Sequence, residues 1–309
     1  MKKHYKILLA TDYSEAVMNA ERYAVRLAKS TNSTITLLHV YQFPLSATPI
    51  KVMDYVKTVN DWRASEVKRL ELHRDKLFRS LSINPDEVTC ECIIREGSAG
   101  QQIHNETKKS DYDFIIVGTH GVTGFRKVFY GTHAWNVIKK SSIPVFAIPK
   151  DGLFTGIKHI AFATEYRQGE IPVINFLTRF AKQFNAEITV LHVTNYVLSK
   201  QFEAEMFKMF KKEVLEKVSY TKLNIRLIKN ENIFEGIEKF CEEKKVDLLV
   251  MSPEKPFLME KIFLPNDSVT REMSFHTDIP LLAIPDFYNP EYSAFWKFFA
   301  QGDFVNEDF

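Results

Sequence analysis

Residues 118–132 read GTHGVTGFRKVFYGT, a skeleton of Gly118, two residues, Gly121, nine residues, Gly131 and Thr132. Glycine admits positive φ and lets a main chain approach a ligand closely. Main-chain N–H groups in such a loop can surround phosphate oxygens. Thr132 opens an expected helix, where unpaired N–H groups favour an anion. Its hydroxyl can cap that helix or donate to a phosphate. His120 and His133 flank the loop and can contact phosphate or carry a proton, while Arg126 and Lys127 offer charge to terminal phosphates. The spacing alone is also open to a plainer use: Gly118 and Gly121 as a turn, with Gly131 and Thr132 as an ordinary helix start.

Other nucleotide motifs are missing. No GxxxxGK followed by Ser or Thr occurs, so a P-loop of the Walker type is not expected. A dinucleotide fingerprint needs glycines after the first strand, and Asp12-Tyr13-Ser14-Glu15 stands there instead. No pair of side chains marks itself as base and nucleophile, so the sequence favours nucleotide held over nucleotide rapidly turned over. Cys90 and Cys92 share one side of a strand-like run, and no His/Cys set completes a four-ligand metal site around them.

The elements that must position this loop alternate in type. Apolar, β-branched runs at 5–11, 34–40, 88–94, 114–118 and 145–148 read as strands. Helical periodicity fills the gaps after Ser14, which is placed to cap, and at 53–81, 98–109 and 132–140. The nearly all-apolar fourth run fits a strand buried on both faces of a parallel sheet. Alternation of this kind gives an α/β domain with right-handed crossovers.

The order then repeats. ILLATD at 7–12 is echoed by IAFATE at 160–165, and TITLLHV at 34–40 by EITVLHV at 187–193. DFIIVG at 113–118 returns as DLLVMS at 247–252, and IPVFAIP at 143–149 as IPLLAIP at 279–285. This is the signature of a tandem duplication. It predicts strands at 158–163, 187–193, 223–228, 248–251 and 281–284, with helices at 171–184, 201–219, 233–244 and 268–275. The matching IPxxAIP segments predict that the halves pair across their last strands, which would protect both edges. His39 and His192 are read as structural residues duplicated with the fold.

Composition fits this picture. A chain of 309 residues exceeds one simple core and suggests two domains of about 150 residues. Lys plus Arg total 41 against 39 for Asp plus Glu, so the net charge of +2 gives no reason to expect nucleic acid or an anionic membrane as partner. The three cysteines make no disulfide framework. The apolar run near the start, Ile7 to Ala10, is too short for a secretory leader, and no stretch is long enough to span a bilayer. A cytoplasmic location is expected. The segment 286–309 is crowded with aromatic rings, which predicts packing onto the chain itself or self-association.

The opening ILLATDYSE, the strand TITLLHV, the segment DFIIVGTHG and the G-2x-G-9x-G-[ST] loop together resemble the universal stress protein (UspA-like) family in its tandem form. The resemblance covers roughly 4–150 and 157–285. It implies two Rossmann-like domains, each a five-stranded parallel sheet of order 3-2-1-4-5, at 1–150 and 157–285, followed by the aromatic extension. It implies an ATP-binding protein of stress response or regulation, with weak or no hydrolysis and a regulatory protein partner of unknown identity; a scaffold that no longer binds ATP and a slow ATPase are the alternatives, and a Mg2+ ion would offset the phosphate charge. The aspartate matching Asp12 and the backbone matching Val40 would contact adenine. Gly118, Gly121, Gly131 and Thr132 would hold ribose and phosphates, with His120 beside them. Asp12 is also open to service as a simple turn or cap. In the second half Glu165 replaces the aspartate, and 251–267 lacks glycine, with Pro253 and Pro256 removing donors. That half is expected to have lost the nucleotide site.

Overall fold

A computed structural model describes residues 4–43, 52–119, 132–166, 170–195, 200–253 and 278–285. In the first half the strands are β1 (Lys6–Thr11), β2 (Thr34–Tyr41), β3 (Cys90–Glu96), β4 (Phe114–Gly118) and β5 (Val145–Ile148). Helices α1 (Glu15–Thr31), α2 (Val52–Ser80), α3 (Ala99–Lys109) and α4 (Thr132–Lys140) connect them in turn. The second half supplies β6 (His159–Ala163), α5 (Glu170–Phe184), β7 (Glu187–Thr194), α6 (Lys200–Lys217), β8 (Leu223–Lys229), α7 (Ile233–Lys244), β9 (Leu248–Met251) and β10 (Leu281–Ala283).

The strands form one ten-stranded sheet of order β3-β2-β1-β4-β5-β10-β9-β6-β7-β8. Each half therefore runs 3-2-1-4-5, and every pairing within a half is parallel. The halves meet where β5 and β10 pair antiparallel, with Leu281 opposite Ala147 and Ala283 opposite Val145. The halves thus pair across their last strands as expected, and these strands, which would otherwise be edges, protect each other.

Alternation along β1 sends Ile7 and Leu9 to one face and Leu8 to the other. α1, α2, α5 and α6 pack on the first face; α3, α4 and α7 cover the second. The duplication extends to fine structure. Asn32 ends α1 and Asn185 ends α5, both left-handed at φ 53° and 56°. Asp113 Oδ2 accepts the Lys6 N–H at 2.9 Å, and Asp247 Oδ2 accepts the Lys158 N–H at 2.7 Å, tying the starts of neighbouring strands in each half.

Two expectations need correction. The third strand begins at Cys90, because Pro85–Glu87 forms a 3-10 turn whose Asp86 N–H donates to Asn84 Oδ1 at 3.1 Å, delaying the extended run. Ser14 occupies the N-cap of α1, but its hydroxyl makes no capping bond. Its own N–H donates instead to Asp12 Oδ1 at 2.9 Å, so the carboxylate shapes the helix entry. The helix expected at 268–275 lies outside the described residues.

Candidate functional site

The sheet order reverses between β1 and β4, which pair from Ile7 opposite Phe114 to Leu9 opposite Ile116. Beyond the carboxyl ends of such neighbours an open α/β sheet leaves a crevice. Asp12 follows β1 directly, Gly118 closes β4, and the N-terminus of α4 begins at Thr132. Val40 lies near the end of β2, its side chain packed against the second-face core. Four of the expected site residues, Asp12, Val40, Gly118 and Thr132, thus sit at the carboxyl edge of the sheet or begin the helix that follows the loop. His120, Gly121 and Gly131 lie outside the described residues, as do Arg126 and Lys127.

Gly118 has a packing reason to be glycine. A Cβ there would stand 3.1 Å from both the Ala16 carbonyl oxygen and Val17 Cα. Its bare backbone lets the first turn of α1 press against β4.

The turn from β1 into α1 is held tightly. Tyr13 has φ 64°, a left-handed conformation that non-glycine residues adopt at a cost of ~1–2 kcal/mol. Thr11 compensates from three directions. Its hydroxyl donates to Glu21 Oε1 at 2.5 Å, since a carboxylate only accepts, and so it accepts the Tyr13 N–H at 3.1 Å. Its carbonyl accepts from His39 Nδ1 at 2.9 Å, which fixes the proton on that nitrogen. Glu21 is buried at 1% exposure on α1, and His73 Nε2 reaches both of its oxygens at 2.9 Å from α2. The Tyr13 ring lies on His39 with centroids 4.3 Å apart, and the Arg69 guanidinium sits over its outer face at 4.5 Å. Burial pushes the Tyr13 phenol up to about 12, with the Glu66 carboxylate adding to the rise.

The second half repeats the grip. Tyr166 has φ 58°, its N–H donates to Thr164 Oγ1 at 3.0 Å, and Thr164 donates to buried Glu170. His192 Nδ1 donates to the Thr164 carbonyl at 2.7 Å, and the Tyr166 ring stacks on it at 4.1 Å. Each histidine also faces a carboxylate from the following helix: His39 Nε2 lies 3.7 Å from Glu66, and His192 Nε2 lies 3.6 Å from Glu203. Both histidines are thus tied into the fold through both ring nitrogens. The sequence reading missed Glu21, Glu170, Glu66, Glu203 and His73. The duplicated His and Thr were visible signals, but their acidic partners stand at unmatched positions of the two halves.

The corresponding edge of the second half has a cavity of about 110 Å³, lined by Thr164, Glu165, His192 and Ser252 among others. Among the described residues no cluster of His, Cys, Asp and Glu could hold a metal ion, and no helix is long and apolar enough to cross a membrane. The three thiols are free, and burial pushes those of Cys90 and Cys241 up to about 12.

A doubly wound sheet with its crevice at the β1/β4 reversal defines the Rossmann-like class of ligand-binding α/β proteins. Residues 4–149 match the model of the Universal stress protein family, so the first half of the chain is a domain of that family. A universal stress protein of Bacillus subtilis is 26% identical over 152 residues, covering 46% of this chain and 97% of its own length. One from Methanocaldococcus jannaschii is 23% identical over 157 residues, covering 47% of this chain and 82% of its own length. The fold of the whole chain is similar to that of a universal stress protein from Archaeoglobus fulgidus, with a TM-score of 0.67 over 91% of this chain and 98% of that one at 15% identity.

Proposed function

We propose that the first half binds an adenine nucleotide, ATP foremost, at one site per chain. The observation that carries this reading is the placement of Asp12 at the sheet reversal. It lies beyond β1, beside the strand whose end opens the glycine loop, and that loop leads into the N-terminus of α4. Asp12 is exposed, and only one of its carboxylate oxygens has a partner among the described residues, the Ser14 N–H. The other is available to accept from an exocyclic amine such as that of adenine. Backbone donors from Gly118, Gly121 and Gly131, the Thr132 hydroxyl and His120 would hold ribose and phosphates, and the Val40 backbone would complete the base pocket. A magnesium ion would travel with the phosphates, since the described residues offer no carboxylate cluster to hold it alone.

On this reading the chain divides into a nucleotide-binding domain at 1–150, a degenerate partner domain at 157–285 and an aromatic extension at 286–309. The second domain completes the sheet rather than binding nucleotide, as its small cavity and its lack of glycines at 251–267 suggest. The role is that of a cytoplasmic stress-response regulator that self-associates and presents its nucleotide state to a protein partner.

Titration calorimetry with ATP, ADP, AMP and GTP tests the proposal. One ATP per chain is expected, lost in Gly131→Val, which adds a side chain where the main chain must approach phosphate. Asp12→Ala should chiefly weaken the preference for adenine over guanine. Absence of binding by the folded wild-type protein, or two equivalent sites per chain, would sink it.

A further inference from the structure

The proposed site needs the Asp12 carboxylate aimed into the crevice, yet the residue after it is strained and exposed turns readily relax. Thr11, Glu21 and His73 form a chain of hydrogen bonds that reaches this turn from two helices. The proton direction along the chain is fixed. Glu21 can only accept, so both His73 Nε2 and the Thr11 hydroxyl donate to it. The Thr11 oxygen is then left with lone pairs alone for the Tyr13 N–H at 3.1 Å. That bond offsets the left-handed conformation of Tyr13, and this conformation in turn places Asp12 where its Oδ1 accepts from Ser14 at 2.9 Å. A glutamate at 1% exposure and a histidine on α2 thus reach, through Thr11, the turn that carries this exposed carboxylate.

We propose that Thr11, Glu21 and His73 are positioning residues for base recognition, setting the aim of the Asp12 carboxylate without touching the nucleotide. The inference rests on the one-site nucleotide reading. The molecule contains its own control. Thr164 makes the same bonds to Tyr166 and to a buried glutamate, but it precedes Glu165 in the half expected to bind no nucleotide. A purely structural contribution would be shared by both threonines; a positioning role belongs to Thr11 alone.

Calorimetry with ATP and GTP on the full chain, with urea midpoints in parallel, decides the matter. Thr11→Val keeps the shape but removes the hydroxyl. It should weaken ATP binding by about tenfold and shrink the ATP-over-GTP preference, while Thr11→Ser restores both. Glu21→Gln should weaken ATP severalfold in the same direction. Thr164→Val should lower the urea midpoint as much as Thr11→Val does and leave ATP affinity within about twofold. If Thr11→Val binds ATP with wild-type affinity and base preference, the positioning role is wrong while the nucleotide reading stands. If Thr164→Val weakens ATP as much as Thr11→Val, the effect is one of general stability and the role is again wrong. Wild-type protein that binds neither nucleotide overturns both.

Discussion

Tyr13 and Tyr166 carry the same backbone strain for the same reason: each chain reversal after a first strand is stapled by a threonine hydroxyl and backed by a histidine ring. Neither strain nor staple belongs to a recognisable motif, because the stabilising groups come from three elements. The cysteines pose a simpler question at the same scale. Cys90 and Cys241 are pushed up to about 12 by burial, and neighbouring carboxylates add to the rise. In the folded chain they stay neutral well above the usual 9, whereas the unfolded chain ionises them there. The sign follows: their contribution is whole below pH 9 and is lost progressively as pH climbs from 9 towards 12. Urea midpoints at pH 8 and pH 10.5 should therefore fall, and the fall should be shallower in the Cys90→Ala/Cys241→Ala variant. It should not vanish, since the Tyr13 phenol is pushed to about 12 as well. An unchanged slope in the double variant would count against the thiols. Labelling by a thiol reagent at pH 8 should be slow until the protein is unfolded.

At the scale of elements, α1 and α5 end alike. Asn32 and Asn185 adopt left-handed geometry, with the N–H of Asn32 directed at the Ala28 and Lys29 carbonyls. Asn32→Gly should leave the urea midpoint nearly unchanged, because glycine takes this conformation freely. Asn32→Val should cost about 1–2 kcal/mol, since a β-branched residue tolerates it worst. Equal midpoints for the two variants would mean that the cap carries no conformational demand. The elements were legible from their periodicity, although these Asn caps, each between a helical pattern and a β-branched run, went unread. Strand identity was legible too, since the repeated segments ILLATD/IAFATE and IPVFAIP/IPLLAIP mark corresponding strands of the two halves, while their order followed only from the resemblance to the universal stress protein family. What escaped was polar and long-range. The partner of Thr11 is Glu21, at the seventh position of α1, while the partner of Thr164 is Glu170 at the first position of α5, so aligning the repeats conceals the pairing. The Ser14 cap was misread at the same scale: the Val17 N–H donates to the Ser14 carbonyl at 3.1 Å rather than to its hydroxyl.

At the scale of the molecule the halves share more than a strand pairing. Phe180 of α5, fully buried, lies 6.0 Å from Phe114 and 6.3 Å from Phe146, centroid to centroid, both from the first half. Phe176 stands 6.2 Å from Phe114, and Gln183 donates to the Tyr5 hydroxyl at 2.5 Å. A helix of the second half therefore helps cover strands β4 and β5 of the first, and the aromatic core is continuous across the β5–β10 seam. Neither half keeps its apolar surface covered without the other, so the two should unfold as one cooperative unit. Scanning calorimetry should show a single transition whose calorimetric and van't Hoff enthalpies agree. Phe180→Ala should cost about 3–5 kcal/mol and lower that transition without splitting it, because the cavity opens in a core that both halves share. Two transitions in the wild-type protein, or a Phe180→Ala variant in which only the second half melts earlier, would show that the seam is a contact between independent domains. The one-site nucleotide reading gives the same experiment a further arm. Saturating ATP, bound only by the first half, should raise the single transition as a whole, since ligand binding to one part of a cooperative unit stabilises all of it.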